Sequence, residues 1–377
     1  MMNNTFFPEV KGNFGFGMMR LPMKDGSVDH EQLKEMVDTF LNSGFNYFDT
    51  AHPYHNGDSE IAIRECLAKR YDRNEFVLAN KLTEPFFNKQ EDIRPFFMKQ
   101  LEDCGVDYFD FYLMHAQDRT IYQKFKRCKA YETAYSFKEE GMIKHFGISF
   151  HDKSEVLDII LTEHPEIEFV QIQFNYLDYD SASVDSKKVY EVCERHGKPA
   201  IVMEPLKGGS LVNLPEDADS ILRGLNGGSN ASYALRFAGS FPNNMMILSG
   251  MSDIHQMEDN LSFMKDFEPL SDDEMDAVWK VRDIFNNLNL IPCTGCRYCI
   301  EENDCPKKLR IPDMFSAMNS DVAFGGWNGS YYYNHIATGD DHGKASDCIN
   351  CGKCEKVCPQ HLPIRKLLKD VAERFDN

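Results

Sequence analysis

No apolar run in the 377-residue chain approaches the roughly 18 residues that a membrane-spanning helix needs. The start, "MMNNTFFPEVKGNFGFG", lacks a basic stretch followed by an apolar one, so no secretory signal is expected and a cytoplasmic setting is. Positive charge is scarce: 41 Lys and Arg face 60 Asp and Glu, for a net charge of −19. That balance argues against nucleic acid and against an anionic membrane as partners. The deficit is uneven, since residues 291–377 come to −1 and leave −18 for the first 290. No G-x-G-x-x-G opens a helix after the first strand-like run, which disfavours an open doubly wound dinucleotide fold. Cysteine is sparse before residue 290, where Cys66, Cys104, Cys128 and Cys193 are scattered and read as small buried hydrophobes.

Short apolar runs alternate with helical patterns over residues 10–265. The runs are "GNFGFGMM" (12–19), "NYFDTA" (46–51), "FVLANK" (76–81), "FDFYLMH" (109–115), "KHFGIS" (144–149), "FVQIQF" (169–174), "PAIVME" (199–204) and "MMILSG" (245–250). A typical intervening segment, "HEQLKEMVDTFLNSG", puts Leu33, Val37, Phe40 and Leu41 on one helical face and Gly44 at its stop. Near-continuous apolar strands between helices imply a parallel sheet covered by helices. Asp49, Lys81, His115 and Ser149 close successive runs at separations of 32, 34 and 34 residues, one strand-helix unit each. Eight such units make an α/β (β/α)8 TIM barrel whose polar strand ends converge on one mouth. The expected division is a barrel over 1–270, a connecting helix over 271–290 and a small, mainly α domain over 291–377. Ser271 and Glu274 read as a capping box for that helix, with Met275, Val278, Val281 and Ile284 as its apolar face.

Asp49, Tyr54, Lys81 and His115 are chemically complementary. A phenol is too weak an acid to protonate a carbonyl efficiently at neutral pH. A nearby ammonium stabilises the phenolate, a carboxylate holds the ammonium, and a neutral histidine can orient a carbonyl oxygen. Each residue alone has a bland explanation as cap, packing group or solvated charge; four at matched strand ends are harder to dismiss.

"FDTAHPYHNGDSE" (48–60), "LANKL" (78–82) and "FYLMHA" (111–116) resemble the three catalytic segments of the aldo-keto reductase family. The resemblance covers roughly residues 10–265. It implies Tyr54 as general acid, Lys81 and Asp49 as its tuners, His115 as substrate orienter, and reduction of an aldehyde or ketone, or oxidation of an alcohol, with a nicotinamide cofactor. His52 and His55 match no role in the family and read as loop residues. Ser149 and Gln171 match the positions that hold the nicotinamide carboxamide. Phe150 stands where the family usually has Asn, and Met203 where an aromatic ring commonly stacks on the nicotinamide. Lys207, Gly208 and Gly209 suit a pyrophosphate, through backbone N–H groups and a cation. "SGMSDIHQMEDN" (249–260) resembles the adenosine segment, with Asp259 and Asn260 matching. Gly250, Met251 and Gln256 replace the basic residues that commonly clamp a 2′-phosphate, and Asp253 and Glu258 stand nearby, so NADH is expected over NADPH.

The other eight cysteines form two runs, "CTGCRYCIEENDCP" (293–306) and "CINCGKCEKVCP" (348–359). The second is the C-x2-C-x2-C-x3-C-P pattern of bacterial ferredoxins; the first has five residues in its last gap. Zinc also takes C-x2-C pairs. Three cysteines at consecutive x2 spacing suit three corners of a cubane better than a tetrahedral ion, so two [4Fe–4S] clusters are expected. Residues 291–365 resemble dicluster ferredoxins, which implies that the fourth cysteine of each run serves the other cluster. Cys293, Cys296, Cys299 and Cys358 would hold one cluster, and Cys348, Cys351, Cys354 and Cys305 its neighbour. Glu301, Glu302 and Asp304 are hard oxygen ligands, not expected to replace a thiolate. The aromatics of "FGGWNGSYYYNH" (324–335) are expected to pack in a core.

Hydride transfer moves two electrons, whereas a cluster carries one. The clusters are therefore expected to link a nicotinamide-dependent carbonyl reductase to a redox protein partner. A flavin or radical step fits that reading but has no located site. The alternatives are clusters that are structural or that sense oxidants, and a barrel that has become a redox-sensing nicotinamide-binding module with little turnover.

Overall fold

The computed structural model describes residues 5–181, 184–225, 227–303, 305–324, 328–339 and 342–376. It forms two compact units, Met1–Pro205 with Ala231–Ser271, and Leu206–Asn230 with Asp272–Asn377.

The first unit is built on eight parallel strands: β1 (Phe14–Gly17), β2 (Tyr47–Asp49), β3 (Val77–Leu82), β4 (Phe109–Gln117), β5 (Ile143–Phe150), β6 (Phe169–Gln173), β7 (Ala200–Met203) and β8 (Asn244–Gly250). They pair in sequence order, and β1 pairs with both β2 and β8, so the sheet closes. The eight runs expected from the sequence are these eight strands, and the architecture is the (β/α)8 barrel. Gly17 pairs with both Asp49 and Gly250, and Ser149 with Gln171, which brings the C-terminal strand ends to one level.

Helix His30–Asn42 shows how the outer layer is specified. Asp29 accepts from the N–H groups of Glu31 and Gln32 at 3.2 Å each and starts the helix. Leu33, Met36, Val37 and Phe40 are buried on one face, while Leu41 is only half-buried. Gly44, at φ 92°, takes the left-handed backbone that ends it. Phe40 lies 5.3–6.0 Å, ring centre to ring centre, from Phe14, Phe45, Phe16 and Phe48. This aromatic cluster ties the first helix to the strands that carry Gly17 and Asp49.

In the second unit helix Asp272–Asn287 packs against Glu216–Arg223. Its buried face is Ala277, Val278, Val281 and Phe285, with Met275 and Ile284 half-buried, which corrects the face read from the sequence. A strict every-third-residue series precesses by about 60° per step on a 3.6-residue helix, so its two ends leave the seam. Ile291, Leu309, Ile311, Met314, Phe315, Tyr333, Leu362, Ile364, Leu368 and Val371 form this unit's core together with Cys299, Cys354 and Cys358. Tyr333 stacks on Phe375 at 4.7 Å and donates to Asp376 at 2.9 Å, while Trp327 lies outside the described residues. Among the described residues no helix is long and apolar enough to cross a membrane.

Candidate active site and cysteine ligand set

Asp49 ends β2, Lys81 and His115 lie near the ends of β3 and β4, and Tyr54 opens the turn Tyr54–Gly57 that follows β2. His55, Asn56 and Gly57 all have left-handed backbone, at φ 51°, 55° and 96°, so the chain turns sharply behind the phenol. Two histidines secure that turn. His55 Nε2 accepts from the Leu21 N–H at 3.2 Å, and burial pushes its pKa down. His52 Nδ1 lies 2.6 Å from the buried Glu60, which also accepts from Asn80 at 2.8 Å and Gln100 at 3.1 Å.

The three ammonium protons of Lys81 each have an acceptor: Asp49 Oδ1 at 2.6 Å, the Thr50 carbonyl at 2.8 Å and the Tyr54 hydroxyl at 3.3 Å. Because Tyr54 accepts there, its own O–H is left to donate elsewhere. Lys81 is fully buried and Asp49 nearly so, and a buried ion pair is a poor way to gain stability. Removing one partner would strand the other at a cost of about 3–5 kcal/mol. Burial by itself would lower the Lys81 pKa, but Asp49 and then Tyr54 outweigh it, and the ammonium stays charged.

Burial raises the Tyr54 pKa above its ordinary value, more than the Lys81 charge lowers it. The direction is opposite to the lowering expected from the lysine alone, because the sequence does not show how completely the ring is desolvated. Burial also holds the His115 imidazole far below its usual range, helped by the charges of Lys81 and His151, so it is neutral at physiological pH. Its ring centre lies 6.1 Å from that of Tyr54, and its Nδ1 lies 2.7 Å from the Thr83 hydroxyl.

Gln171 joins the quartet from across the barrel. Its Nε2 donates to Asp49 Oδ2 at 3.1 Å, leaving Oε1 as an acceptor. Ser149, its neighbour on β5, accepts from the Ala116 N–H at 2.7 Å and keeps its hydroxyl proton. These two side chains present one acceptor and one donor, a set that fits a carboxamide. Met203 ends β7 half-buried, paired with Gln173.

Lys207, Gly208 and Gly209 belong to the second unit rather than to the barrel. All three have positive φ, at 46°, 65° and 96°. A Cβ on Gly208 would stand 2.2 Å from the carbonyl oxygen of Thr294, within the first cysteine run, whereas one on Gly209 would meet nothing within 4 Å. Gly208→Ala is therefore expected to lose about 1–3 kcal/mol to overpacking, beyond the backbone strain that Gly209→Ala suffers alone. Parallel thermal melts of the two variants, with the iron content of each, measure the difference; equal melting temperatures would remove the steric argument.

At the adenosine segment Asp253 caps helix Ile254–Met264 by accepting from the Gln256 backbone N–H at 2.9 Å and its Nε2 at 3.0 Å. Gln256 Oε1 accepts from Ser252 at 2.9 Å, so this side chain is committed to the cap. Asn260 donates to Ser249 at 3.0 Å, and Asp259 is half-exposed one position earlier.

Three residues near these sites were not singled out from the sequence. Thr83 is two positions beyond Lys81, and nothing local marks it. Arg20 lies along Gly250, whose Cβ would be 3.2–3.3 Å from its side-chain carbons. Glu204 closes the run "PAIVME", the same signal that pointed to Asp49. It adopts φ 55°, and its charge helps to raise the Tyr54 pKa. Glu204→Gln is accordingly expected to lower the Tyr54 pKa. A reaction that needs the protonated phenol loses rate as pH rises through that pKa, so its alkaline limb would move to lower pH. A kcat-versus-pH profile in which the limb stays put or moves up would contradict this.

The two cysteine runs have the same backbone. Two residues after the first cysteine of each run stand Gly295 (φ 64°) and Asn350 (φ 61°). One residue after the second stand Arg297 (φ 68°) and Gly352 (φ 73°), and the short helices Tyr298–Glu301 and Lys353–Lys356 begin directly afterwards. Three residues after the fourth cysteine stand Lys308 and His361, both at φ 50°. Helices Ile311–Phe324 and Ile364–Phe375 then start at the same offset. The longer gap in the first run is absorbed between Cys299 and Cys305, with the backbone in step on both sides; Asp304 within it lies outside the described residues.

All eight thiols of these runs are free of disulfides. Burial pushes the Cys299 thiol up, and the charges of Cys296, Cys293, Cys358 and Cys354 push it further. The Cys354 thiol is pushed up to about 11, by burial first and by Cys348, Glu355 and Cys351 among its neighbours. Crowded thiols that raise one another's pKa need a cationic centre before they can act as thiolates, and iron supplies that charge. Cys358 and Cys354, both of the second run, act electrostatically on Cys299 of the first. The scattered Cys66, Cys104, Cys128 and Cys193 are buried and, among them, the Cys66 thiol is pushed up to about 11 by burial.

The Aldo/keto reductase family model matches residues 13–283, and a 4Fe-4S dicluster domain model matches residues 292–363. The chain belongs to the aldo/keto reductase family and carries a dicluster domain in addition to its barrel. It is 26% identical over 268 residues to the uncharacterized oxidoreductase YtbE of Bacillus subtilis, covering 70% of this chain and 87% of that one. It is 24% identical over 178 residues to human aldo-keto reductase family 1 member C3, covering 43% of this chain and 53% of that one. The chain thus spans about half the length of several curated relatives it matches. Aldo-keto reductase AKR11C1 from Bacillus halodurans superposes with a TM-score of 0.57 at 23% identity, covering 71% of this chain and 91% of that one. A Klebsiella pneumoniae aldo-keto reductase in complex with NADPH gives 0.60 at 18% identity, covering 73% and 95%; at these identities the likeness is one of fold.

Proposed function

We propose that the barrel mouth reduces a small aldehyde or ketone, or oxidises the corresponding alcohol, and that the two cysteine runs hold two [4Fe–4S] clusters serving a redox protein partner. The observation that carries the first half is the complete use of the Lys81 ammonium by Asp49, Thr50 and Tyr54, which leaves the Tyr54 proton as the one to be given away.

A bound nicotinamide supplies the hydride. Tyr54 stays protonated at neutral pH and donates to the carbonyl oxygen, and Lys81 stabilises the phenolate left behind. The tautomer in which Thr83 donates to His115 Nδ1 leaves the histidine proton on Nε2, where it orients the same oxygen. Gln171 Oε1 and the Ser149 hydroxyl hold the carboxamide, while Met203 borders the ring. Lys207, Gly208 and Gly209 serve the pyrophosphate, and Asp259 and Asn260 the adenosine. NADH is the favoured form, because Gln256 is held in the helix cap beside the Asp253 carboxylate and brings no positive charge to a 2′-phosphate.

For the clusters, the support is the matched backbone of the two runs and the mutual electrostatic influence of their thiols, Cys358 and Cys354 both acting on Cys299. Cys293, Cys296, Cys299 and Cys358 form one ligand set, and Cys348, Cys351, Cys354 and Cys305 its counterpart. Anaerobic purification followed by iron, sulfide and nucleotide analysis, with carbonyl reduction assayed against NADH and NADPH, tests both halves. Zinc in place of iron would overturn the cluster assignment. Equal kcat/KM with either nucleotide would overturn the NADH preference, and no reduction of any aldehyde or ketone would overturn the activity.

A further inference from the structure

The second cysteine run reaches the surface. Cys351 is exposed, and Ile349, between Cys348 and Cys351, is 55% exposed. Residues 348–377 carry six Lys and Arg against four Asp and Glu, in a chain whose net charge is −19. Lys353, Lys356, Lys366 and Lys369 are exposed and form no ion pair among the described residues. Glu355, within the run, is already used: it accepts from the Arg365 backbone N–H and Nε at 2.8 Å each, while exposed Asp347, just before Cys348, accepts from the Lys344 N–H at 2.8 Å. The Arg365 guanidinium lies against Gly352, the residue after Cys351, 3.5 Å from where a Cβ would stand. Asn350, Pro363, Arg365, Lys366 and Lys369 line a shallow concavity of about 450 Å³. Asp370 and Glu373 are the acidic residues further along the same helix.

We propose that this face docks an acidic one-electron carrier protein of the ferredoxin type. The proposal rests on the cluster reading above. An apolar tip and an exposed cysteine, ringed by unpaired lysines, are what a transient redox contact requires. Such interfaces are small, and their partners are selected by complementary charge rather than by buried area. A patch of a few lysines around one exposed cysteine matches the small, charge-selected contact of an acidic carrier protein. When the pair exchanges an electron, the donor is oxidised and the acceptor reduced by one unit, with no bond or proton transferred.

The test uses anaerobic holoprotein, a purified acidic ferredoxin as the probe, and the double variant Lys366→Glu with Lys369→Glu. These lysines ligate nothing and lie outside the barrel. Binding of the ferredoxin, followed by calorimetry at low salt, is expected to weaken at least tenfold in the variant and to weaken in both proteins as salt rises. Second-order oxidation of the reduced holoprotein by anionic ferricyanide should slow in the variant, while oxidation by cationic tris(phenanthroline)cobalt(III) should quicken. Clusters present in full with identical binding and rates in both proteins would overturn the docking site alone. Wild type without iron and acid-labile sulfide would overturn the cluster reading and the docking site with it. Binding to phosphatidylglycerol vesicles that the variant loses, with ferredoxin binding unchanged, would assign the patch to a membrane and overturn the proposal.

Discussion

Tyr54→Phe is expected to lower kcat for aldehyde and ketone reduction by roughly 10²–10⁴-fold, the usual worth of a positioned general acid, while nicotinamide affinity is unchanged. The phenyl ring fills the same space, so the variant removes the hydroxyl and little else. What remains is Lys81 with one proton lacking an acceptor, in a site where its other two are held by Asp49 and Thr50. Lys81→Met separates charge from shape in the opposite way. It deletes the group that pulls the Tyr54 pKa down, so any residual activity should keep its alkaline limb at higher pH than wild type, opposite to Glu204→Gln. It also strands Asp49, nearly fully buried, and should melt at lower temperature. Steady-state kinetics over a pH series and a fluorescence titration with NADH measure these quantities. Wild-type turnover in Tyr54→Phe across a panel of carbonyls would show that the proton comes from elsewhere.

Cys358→Ser is expected to cost half the iron, and the cluster lost should be the one held by the first run. Cys358 belongs to the second run by sequence, but the proposed ligand sets give it to the cluster of the first. Cys299→Ser should therefore give the same residual spectrum as Cys358→Ser, and Cys354→Ser the other one. Iron and sulfide analysis with electron paramagnetic resonance of the reduced proteins distinguishes the two patterns. If Cys358→Ser instead resembles Cys354→Ser, each run holds its own cluster. Because Cys299, Cys354 and Cys358 lie in the same core as Leu309, Ile311, Leu362 and Ile364, removal of iron should also destabilise residues 291–376, as expected wherever ligand binding and folding are one process.

Much of the barrel was legible in the chain because its determinants are periodic and local. Strands buried on both faces must be apolar throughout, helices between them need one apolar stripe, and each turn has its own capping chemistry. The helix Asp272–Asn287 shows the limit: an every-third-residue series looked like a face, but the seam follows 3.6-residue geometry and shifts to Ala277, Val278, Val281 and Phe285. The site was legible where a polar residue interrupts an apolar strand. That rule found Asp49, Lys81, His115 and Ser149. Applied evenly it would also have found Glu204. Thr83 and Arg20 carried no such mark, since what makes each of them matter is a neighbour from another strand or loop.

By itself, the sequence determined the eight-unit barrel, the polar residues at its strand ends and the spacing of eight cysteines, because periodicity and spacing are properties of the chain. Only the tertiary structure decided the protonation balance at Tyr54, where burial outweighs the lysine, since desolvation depends on every element around the ring. It also decided that Gly208 must be glycine, through the carbonyl of Thr294 more than eighty residues away. The five-residue gap before Cys305 is the plainest case. As a string it breaks the pattern; in space it is a local detour, with matching left-handed residues before and after it. A cluster site depends on where the thiols arrive, and the chain is free to lengthen wherever no ligand is held.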